Sequence, residues 1–547
     1  MFFRQKTVKG HTYIQIVENR WEDGRTRQRV LATLGRLDQL RESGGLEVLL
    51  ESGSRFAGSL LVLSEHRRGE LPAIATWRIG APRVVERLWR ETGCAEVIEE
   101  LLAERKFEFP VERSIFLEVL HRLVSPGSDR SGLAWRELYG IEGVEELDLH
   151  HAYRAMAWLG EPLEEEAPEG ALAPRCTKDR IEETLFARDR DLFSGLQLVF
   201  FDTTSIYFEG EGGETLGRFG HSKDHRRNRK QMVVGVVLDQ EGRPICCELW
   251  PGNTTDVTTL APVAERLRQR FGIGRVCLIA DRGMVREQTL KSLEASGWDY
   301  VVGTRMRNSK EVRDEVLGRA GAYQKVFGAR RRAKDPSPLE VKEVWVGERR
   351  YIVCRNQEHA TKDRADREAI VASLEERLRQ GATSLVGNRG YRRYLSAQGK
   401  GFRIDPDKIE RDQRYDGKWV LRTTTDLEAA DVALAYKQLW TVEEIFRTMK
   451  SLLETRPVYH RTDEAIRGHV FCSFLALRLR SELEFRLAEP GESFEWMSII
   501  RDLDRVEEIE IAKDGACFLL RTEAPGIAGK VFQAAGVALP PTIRQMS

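Results

Sequence analysis

The sequence predicts an α/β core, a mixed five-stranded sheet with helices, that is interrupted by an α+β insertion domain and preceded by a β-hairpin and a helical domain. Three features lead there. LQLVFFDTTSIYF, KQMVVGVVLDQ and RPICCELWPG are three apolar, strand-favouring runs in close succession. RVCLIADRG, VREQTLKSLEASG and DYVVGTR then alternate strand, helix and strand, the signature of an α/β layer. From Met306 to about Thr425 this regularity is broken, and helical spacing resumes at Leu427. A chain of 547 residues is too long for one core, so roughly two to four domains are expected.

Taken in order, residues 1–80 form an N-terminal hairpin region. HTYIQIVENRWEDGRTRQRVLATLGRL alternates apolar and polar residues around Glu22-Asp23-Gly24. Residues 81–160 turn helical: SIFLEVLHRLVSPGSDRSGLAWREL reads as helix, Pro-Gly turn and helix, and LHHAYRAMAWLG as a third helix. Residues 161–195 open with EPLEEEAPEGALAP, an acidic, Pro- and Ala-rich linker, and then enter a helix. Residues 196–305 hold the first part of the core, with a hairpin turn at Asp239 to Gly242 and a helix DVTTLAPVAERLRQRFG for which Asp256 is the expected N-cap. Residues 306–425 form the insertion, with strands LEVKEVWV and RYIVCR, a charged helix around ADREAIVASLEERLRQ, and the basic run ARRRAK. Residues 426–485 return to the core through the helix AYKQLWTVEEIFRTMKSLLETR and the long apolar helix RTDEAIRGHVFCSFLALRLRSELEF, and residues 486–547 close the chain.

Composition excludes more than it names. Lys+Arg and Asp+Glu both number 86, so the net charge is zero and only local clusters can point to a nucleic-acid partner. The eight cysteines lack both paired zinc spacings and the density of a disulfide framework, which fits a reducing cytoplasm. No run of eighteen apolar residues and no apolar leader core occurs, so neither membrane insertion nor secretion is expected. No internal repeat of fixed period is present.

Two strand ends carry an unexpected charge: Asp202 follows LVFF and Asp281 follows VCLIA. Either residue alone also reads as a cap for a turn or helix. Taken together they suggest more, because the fourth strand of such a core can lie beside the first and bring both carboxylates to one sheet edge. Like charges held close and partly desolvated repel one another, and a divalent cation such as Mg²⁺ relieves that repulsion. The helix from Ala435 offers a third ligand. At about 100° per residue, Tyr436, Glu443 and Lys450 fall on one stripe with Arg447, while Glu444 points away. Glu443 and Arg447 equally read as an exposed i,i+4 ion pair.

FDTTSIYF, LIADRGM and YKQLWTVEEIFRTMK resemble the catalytic segments of bacterial insertion-sequence transposases with a DDE triad on an RNase H-like fold. The third segment is similar to the Y-(2)-R-(3)-E-(6)-K signature of the insertion-sequence-four group, with Tyr436, Glu443 and Lys450 in place and Leu439 where the arginine is expected. Lys437 or Arg447 are the candidates to replace that arginine's phosphate contact. The resemblance covers roughly Leu196 to Arg480. The long stretch between Asp281 and Glu443 fits the insertion domain common in the group, and the hairpin opening resembles the start of one of its subgroups.

The resemblance implies that Asp202, Asp281 and Glu443 hold two Mg²⁺ ions, with Mn²⁺ able to substitute, and that in-line displacement at phosphorus cleaves DNA and then joins the freed 3′-OH to a target. It implies cut-and-paste transposition in a bacterial cytoplasm at the nucleoid, on double-stranded terminal inverted repeats and target DNA, with a homodimer in the synaptic complex. Tyr436, Lys437, Arg447 and Lys450 are the expected DNA contacts near the triad. HSKDHRRNRKQ adds Lys223, Arg226, Arg227, Arg229 and Lys230, a cluster suited to phosphate neutralisation and also compatible with a solvated loop. Arg330, Arg331, Arg332 and Lys334 form a second basic cluster. The helical segment 81–160 is the expected reader of the transposon end. An RNase H-like nuclease without strand transfer and a relic that binds DNA without cutting it are the rival readings.

Overall fold

The structure is a computed structural model and describes residues 2–22, 25–46, 48, 62–164, 173–189, 197–273, 276–330, 332, 335–380, 393–398 and 401–546. Its strands in chain order are β1 (Phe2–Val8), β2 (His11–Glu22), β3 (Arg25–Arg36), β4 (Ala75–Arg78), β5 (Leu198–Tyr207), β6 (Gln231–Leu238), β7 (Pro244–Pro251), β8 (Cys277–Ala280), β9 (Asp299–Gly303), β10 (Gln324–Phe327), β11 (Leu339–Val346), β12 (Arg349–Arg355), β13 (Leu395–Gln398), β14 (Gly401–Ile404), β15 (Lys418–Thr423), β16 (Glu507–Lys513), β17 (Ala516–Arg521) and β18 (Ile543–Gln545). The chain folds as two compact units.

The first unit comprises residues 1–83, 137–140 and 494–547. The expected hairpin is there as β2 and β3, but FFRQKTV ahead of it forms a further strand, giving an antiparallel sheet β1-β2-β3. Its turn at Asp23-Gly24 lies outside the described residues. A second antiparallel sheet, β18-β17-β16-β4, pairs segments from the two ends of the chain, and Val62, Ile511 and Leu520 form its small core.

The second unit comprises residues 84–136 and 141–493. The five expected core strands are all present, in the order β9-β8-β5-β6-β7, with β8 parallel to both β5 and β9 and the rest antiparallel. β6 is buried along its whole length, as a strand covered on both faces must be, and this explains why it reads as a continuous apolar run. Helices Leu260–Phe271 and Glu287–Ala295 pack on the sheet, and Val199, Phe201, Val237, Leu267, Leu278 and Tyr300 are among the residues of the core between them. Helix Thr177–Arg188 is fastened to this layer by buried ions: Arg266 pairs with Glu182 at 2.8 Å, and Lys178 donates to the Cys247 carbonyl at 2.8 Å.

Four strands of the insertion extend the core sheet: β15 pairs antiparallel with β9, and β12, β11 and β10 continue outward to give a nine-stranded sheet. β9 is an edge within the five-stranded set, and an unpaired edge is a template for further strands. Helix Gln357–Gln380 and the β13-β14 hairpin complete the insertion.

The helical region matches its sequence reading. Val111–Val124, Asp129–Arg136 and Leu149–Leu159 are helices, and the first and third pack on the long helix Asp463–Ala488. That crossing is close: a Cβ on Gly468 would lie 1.9 Å from the Met156 carbonyl oxygen, so only glycine fits there. Residues 165–172 of the expected linker lie outside the described residues.

Candidate active site

β5 and β8 set the site. Phe201 is paired in register with Ala280, so the next residues along the two parallel strands are Asp202 and Asp281. Both strands are apolar up to that point and buried, which brings the carboxylates together at one level of the sheet. The backbone N–H of Thr203 donates to Asp202 at 2.7 Å, and that of Gly283 donates to Asp281 at 3.3 Å from the short 3₁₀ turn Arg282–Met284. Burial pushes the Asp202 carboxyl up to about 6, and the charges of Asp281 and Asp256 add to the shift, against the opposing effects of Lys223 and the Thr203 N–H.

The contribution of Asp256 was not foreseen. It was expected to cap a helix, but that helix begins at Leu260 and is preceded by Thr259. Asp256 instead accepts from the Thr203 hydroxyl at 2.7 Å and lies 3.3 Å from the Lys223 ammonium. Lys223 also donates to the Thr203 carbonyl at 2.6 Å. Thus Lys223 turns toward β5 beside Asp202. The available signal was a carboxylate five residues beyond the end of the third core strand, at the edge where other acids were already expected.

The Tyr436 hydroxyl donates to Asp281 at 3.0 Å, and its own acidity is suppressed by burial and by that carboxylate. Gly303 at the end of β9 makes room for it: a Cβ there would lie 2.5 Å from the Tyr436 oxygen. The expected single helix is divided into Ala429–Lys437 and Trp440–Arg447, followed by a π-helical segment Thr448–Leu452. The break falls at Gln438 and Leu439. Leu439 is buried, so the position where the resemblance expects arginine is used here for packing.

Helix Trp440–Arg447 packs against β5 and β6, with Val442 and Phe446 buried beneath it. Glu443 and Glu444 are both exposed, and Glu443 forms no ion pair with Arg447 among the described residues. The structure thus sets Asp202 and Asp281 on neighbouring strands, ties Asp281 to Tyr436, and places the helix that carries Glu443 against β5, the strand of Asp202. Among the described residues, the His, Cys, Asp or Glu side chains whose ligand atoms gather within 4.8 Å in a set of three are Asp129, His460 and His469.

The basic residues divide into engaged and open groups. Lys450 and Arg456 both pair with Asp224, at 2.8 and 2.7 Å, and burial lowers the Lys450 pKa. Asp224 is the one acid inside HSKDHRRNRKQ, and a lone acid in a basic loop was a legible sign of an internal ion pair. Arg229 pairs with Glu209 at 2.9 Å and Lys230 with Glu211. Arg226 lies over the Tyr207 ring, and Arg227 and Arg447 are exposed. Lys437 is partly buried, which lowers its pKa. In the insertion, Arg330 pairs with Glu358 and Arg332 is exposed, while Arg331 and Lys334 lie outside the described residues. No helix among the described residues is long and apolar enough to cross a membrane.

Comparison with known proteins gives the family. No curated protein matches the chain in sequence. Among solved structures, piggyBac transposase in a synaptic complex with hairpin DNA is 11% identical, with a TM-score of 0.34 over 77% of this chain and 77% of that one. A Mos1 transposase paired-end complex with the left transposon end is 15% identical, with a TM-score of 0.15 over 36% of this chain and 61% of that one. The model of the transposase DDE domain matches residues 193–479, more than half of the chain, and the N-terminal domain of the IS1634 family transposases matches residues 3–65. The subgroup that the opening hairpin resembles is thereby specified. The chain belongs to the insertion-sequence DDE transposases of the IS1634 group, enzymes that cleave DNA at transposon ends and transfer the strands to a target.

Proposed function

We propose that Asp202, Asp281 and Glu443 are the catalytic carboxylates of this transposase and that they hold two Mg²⁺ ions. The observation that carries this reading is the pairing of β5 with β8, which sets Asp202 beside Asp281 where burial and like charge already resist ionisation. An all-oxygen carboxylate set of this kind suits a hard divalent cation. When bound, the metal supplies Lewis-acid stabilisation of charge on phosphate oxygens and lowers the pKa of the attacking hydroxyl. The protein's own contribution is to position these groups. Tyr436 orients Asp281, Lys223 and Thr203 hold Asp256 next to Asp202, and the helix packed on β5 and β6 carries Glu443.

DNA phosphates are held by Arg226, Arg227, Arg229 and Lys230 of the β5–β6 loop and by Lys437, Arg447 and Lys450 of the Glu443 segment. Tyr436 lies against the scissile region. Lys450 reaches phosphate by exchanging Asp224 for it, and Asp224 keeps Arg456 as its partner. The division at 1–80, 81–160, 161–195, 196–305, 306–425, 426–485 and 486–547 is retained as the functional division of the chain. Segment 81–160 contacts the transposon end, built onto the catalytic unit through helix Asp463–Ala488. The enzyme acts by cut-and-paste on the nucleoid as a homodimer that holds two ends.

The test is incubation of purified protein and Mg²⁺ or Mn²⁺ with DNA carrying the inverted repeats that flank the gene, alongside a target plasmid. Cleaved ends and joined products are expected, both lost in Asp202→Ala, Asp281→Ala and Glu443→Ala while end binding persists. Cleavage that survives any one change removes that residue from the triad.

A further inference from the structure

We propose that Asp129, His460 and His469 form a second metal site, for a borderline transition-metal cation such as Zn²⁺, separate from the carboxylates proposed for catalysis. Asp129 comes from a part of the chain more than three hundred residues away from the two histidines, which flank the start of one helix. Asp129 begins helix Asp129–Arg136, His460 lies in the loop ahead of helix Asp463–Ala488, and His469 lies within that helix. Their ligand atoms all fall within 4.8 Å of one another. His460 Nε2 is 3.3 Å from Asp129 Oδ2 and 3.2 Å from His469 Nδ1. Ligands placed about 2.0 to 2.1 Å from a tetrahedral zinc stand about 3.3 Å apart, so these separations are those of a coordination shell.

The tautomers agree with this reading. His469 Nε2 lies 3.1 Å from the Thr455 carbonyl oxygen, which can only accept, so that nitrogen carries the proton and Nδ1 presents its lone pair to the cluster. Both neighbours of His460 Nε2 are then acceptors. Without a cation a single His460 N–H serves Asp129 while the Arg122 guanidinium serves His469 Nδ1; a cation takes both acceptors together with the His460 lone pair. Asp129 and His469 are buried and His460 nearly so, and all three line a cavity of ≈ 790 Å³ that gives a cation access from solvent. Two imidazoles and a carboxylate favour zinc over magnesium, which prefers oxygen ligands.

Arg122 sets the competition. Its Nη2 lies 3.0 Å from His469 Nδ1 and 3.9 Å from Asp129, so that lone pair either accepts from the guanidinium or coordinates a cation. Glu118, 3.7 Å from Arg122 Nη1, remains the partner of the guanidinium when a cation is bound. The site would pin the loop that also carries Arg456, the partner of Asp224, and its role is to position that loop.

The full-length protein, treated with chelator and dialysed into excess Mg²⁺, is titrated with Zn²⁺ by calorimetry. One Zn²⁺ per chain is expected, with affinity at least about tenfold weaker in His460→Gln and unchanged in Asp202→Ala. Co²⁺ in place of Zn²⁺ should give visible absorption bands of nitrogen-ligated metal in the wild type and in Asp202→Ala, but not in His460→Gln. Should His460→Gln fail to fold by circular dichroism, the Co²⁺ bands in Asp202→Ala decide. Absence of Zn²⁺ binding under excess Mg²⁺, binding that His460→Gln leaves unchanged, or absence of the Co²⁺ bands would overturn the site and leave a hydrogen-bonded cluster around Arg122.

Discussion

Asp202→Asn should stabilise the protein in the absence of divalent metal, although it abolishes cleavage. Burial, aided by Asp281 and Asp256, pushes the Asp202 carboxyl up to about 6 from an ordinary value of 3.8. A carboxyl with a raised pKa holds its proton more tightly folded than unfolded, so folding is favoured below the unfolded value and that advantage is lost as the pH rises through about 6. A shift of about two units corresponds to roughly 3 kcal/mol, which is the upper figure for the cost of ionising Asp202 in the folded state at neutral pH. Asparagine removes the charge, keeps nearly the same volume, and still accepts from the Thr203 N–H. Urea unfolding followed by tryptophan fluorescence in EDTA should therefore show the variant more stable by about 1–3 kcal/mol near pH 7.5, with the difference shrinking toward about pH 4. Added Mg²⁺ should reverse the ranking, because only the wild type binds it well and gains stability by mass action. A variant less stable than the wild type without metal, or a difference that ignores pH, would refute the electrostatic account of this strand end.

Three further outcomes follow from the same geometry. Glu443→Ala should slow cleavage at least about a hundredfold, roughly 3 kcal/mol of transition-state stabilisation, while Glu444→Ala stays within a few-fold; equal losses in a gel-based cleavage assay would place the wrong glutamate at the site. Gly303→Ala forces Tyr436 off Asp281 and should lower both cleavage and stability, by about 1–3 kcal/mol in a urea melt, with Tyr436→Phe reproducing the activity loss at smaller structural cost. Replacing Arg226, Arg227 and Arg229 with serine should reduce the slope of log K against log salt by about 2 to 3 in DNA-binding titrations, whereas Lys223→Gln should chiefly impair cleavage, since its amine is committed to Thr203 and Asp256.

The five core strands were legible because each is a short apolar run closed by turn residues, and the adjacency of Asp202 and Asp281 followed from placing the fourth strand beside the first. β1 was missed because FFRQKTV has little alternation and is mostly exposed, so only pairing with β2 stabilises it. The nine-stranded sheet was hidden for a different reason: LEVKEVWV and RYIVCR read correctly as strands, but edge-to-edge pairing of β15 with β9 across more than a hundred residues leaves no local mark. The helix phase that selected Glu443 assumed an unbroken helix. The turn at Gln438 and the π-helical segment after Arg447 alter that phase, and neither contains the proline or glycine that usually announces a break. Asp256 and Asp224 were visible as residues, but their roles depend on Thr203, Lys223, Lys450 and Arg456, whose convergence only the fold supplies.

Whether residues 202, 281 and 443 share bound metal is decided by replacing Mg²⁺ with Fe²⁺ on the DNA-bound enzyme and triggering local radical cleavage of the polypeptide with ascorbate and peroxide. Backbone cuts, suppressed by excess Mg²⁺, are expected close to Asp202, Asp281 and Glu443. Mg²⁺-sensitive cuts at the two aspartates with none near Glu443, or at none of the three, would contradict shared binding.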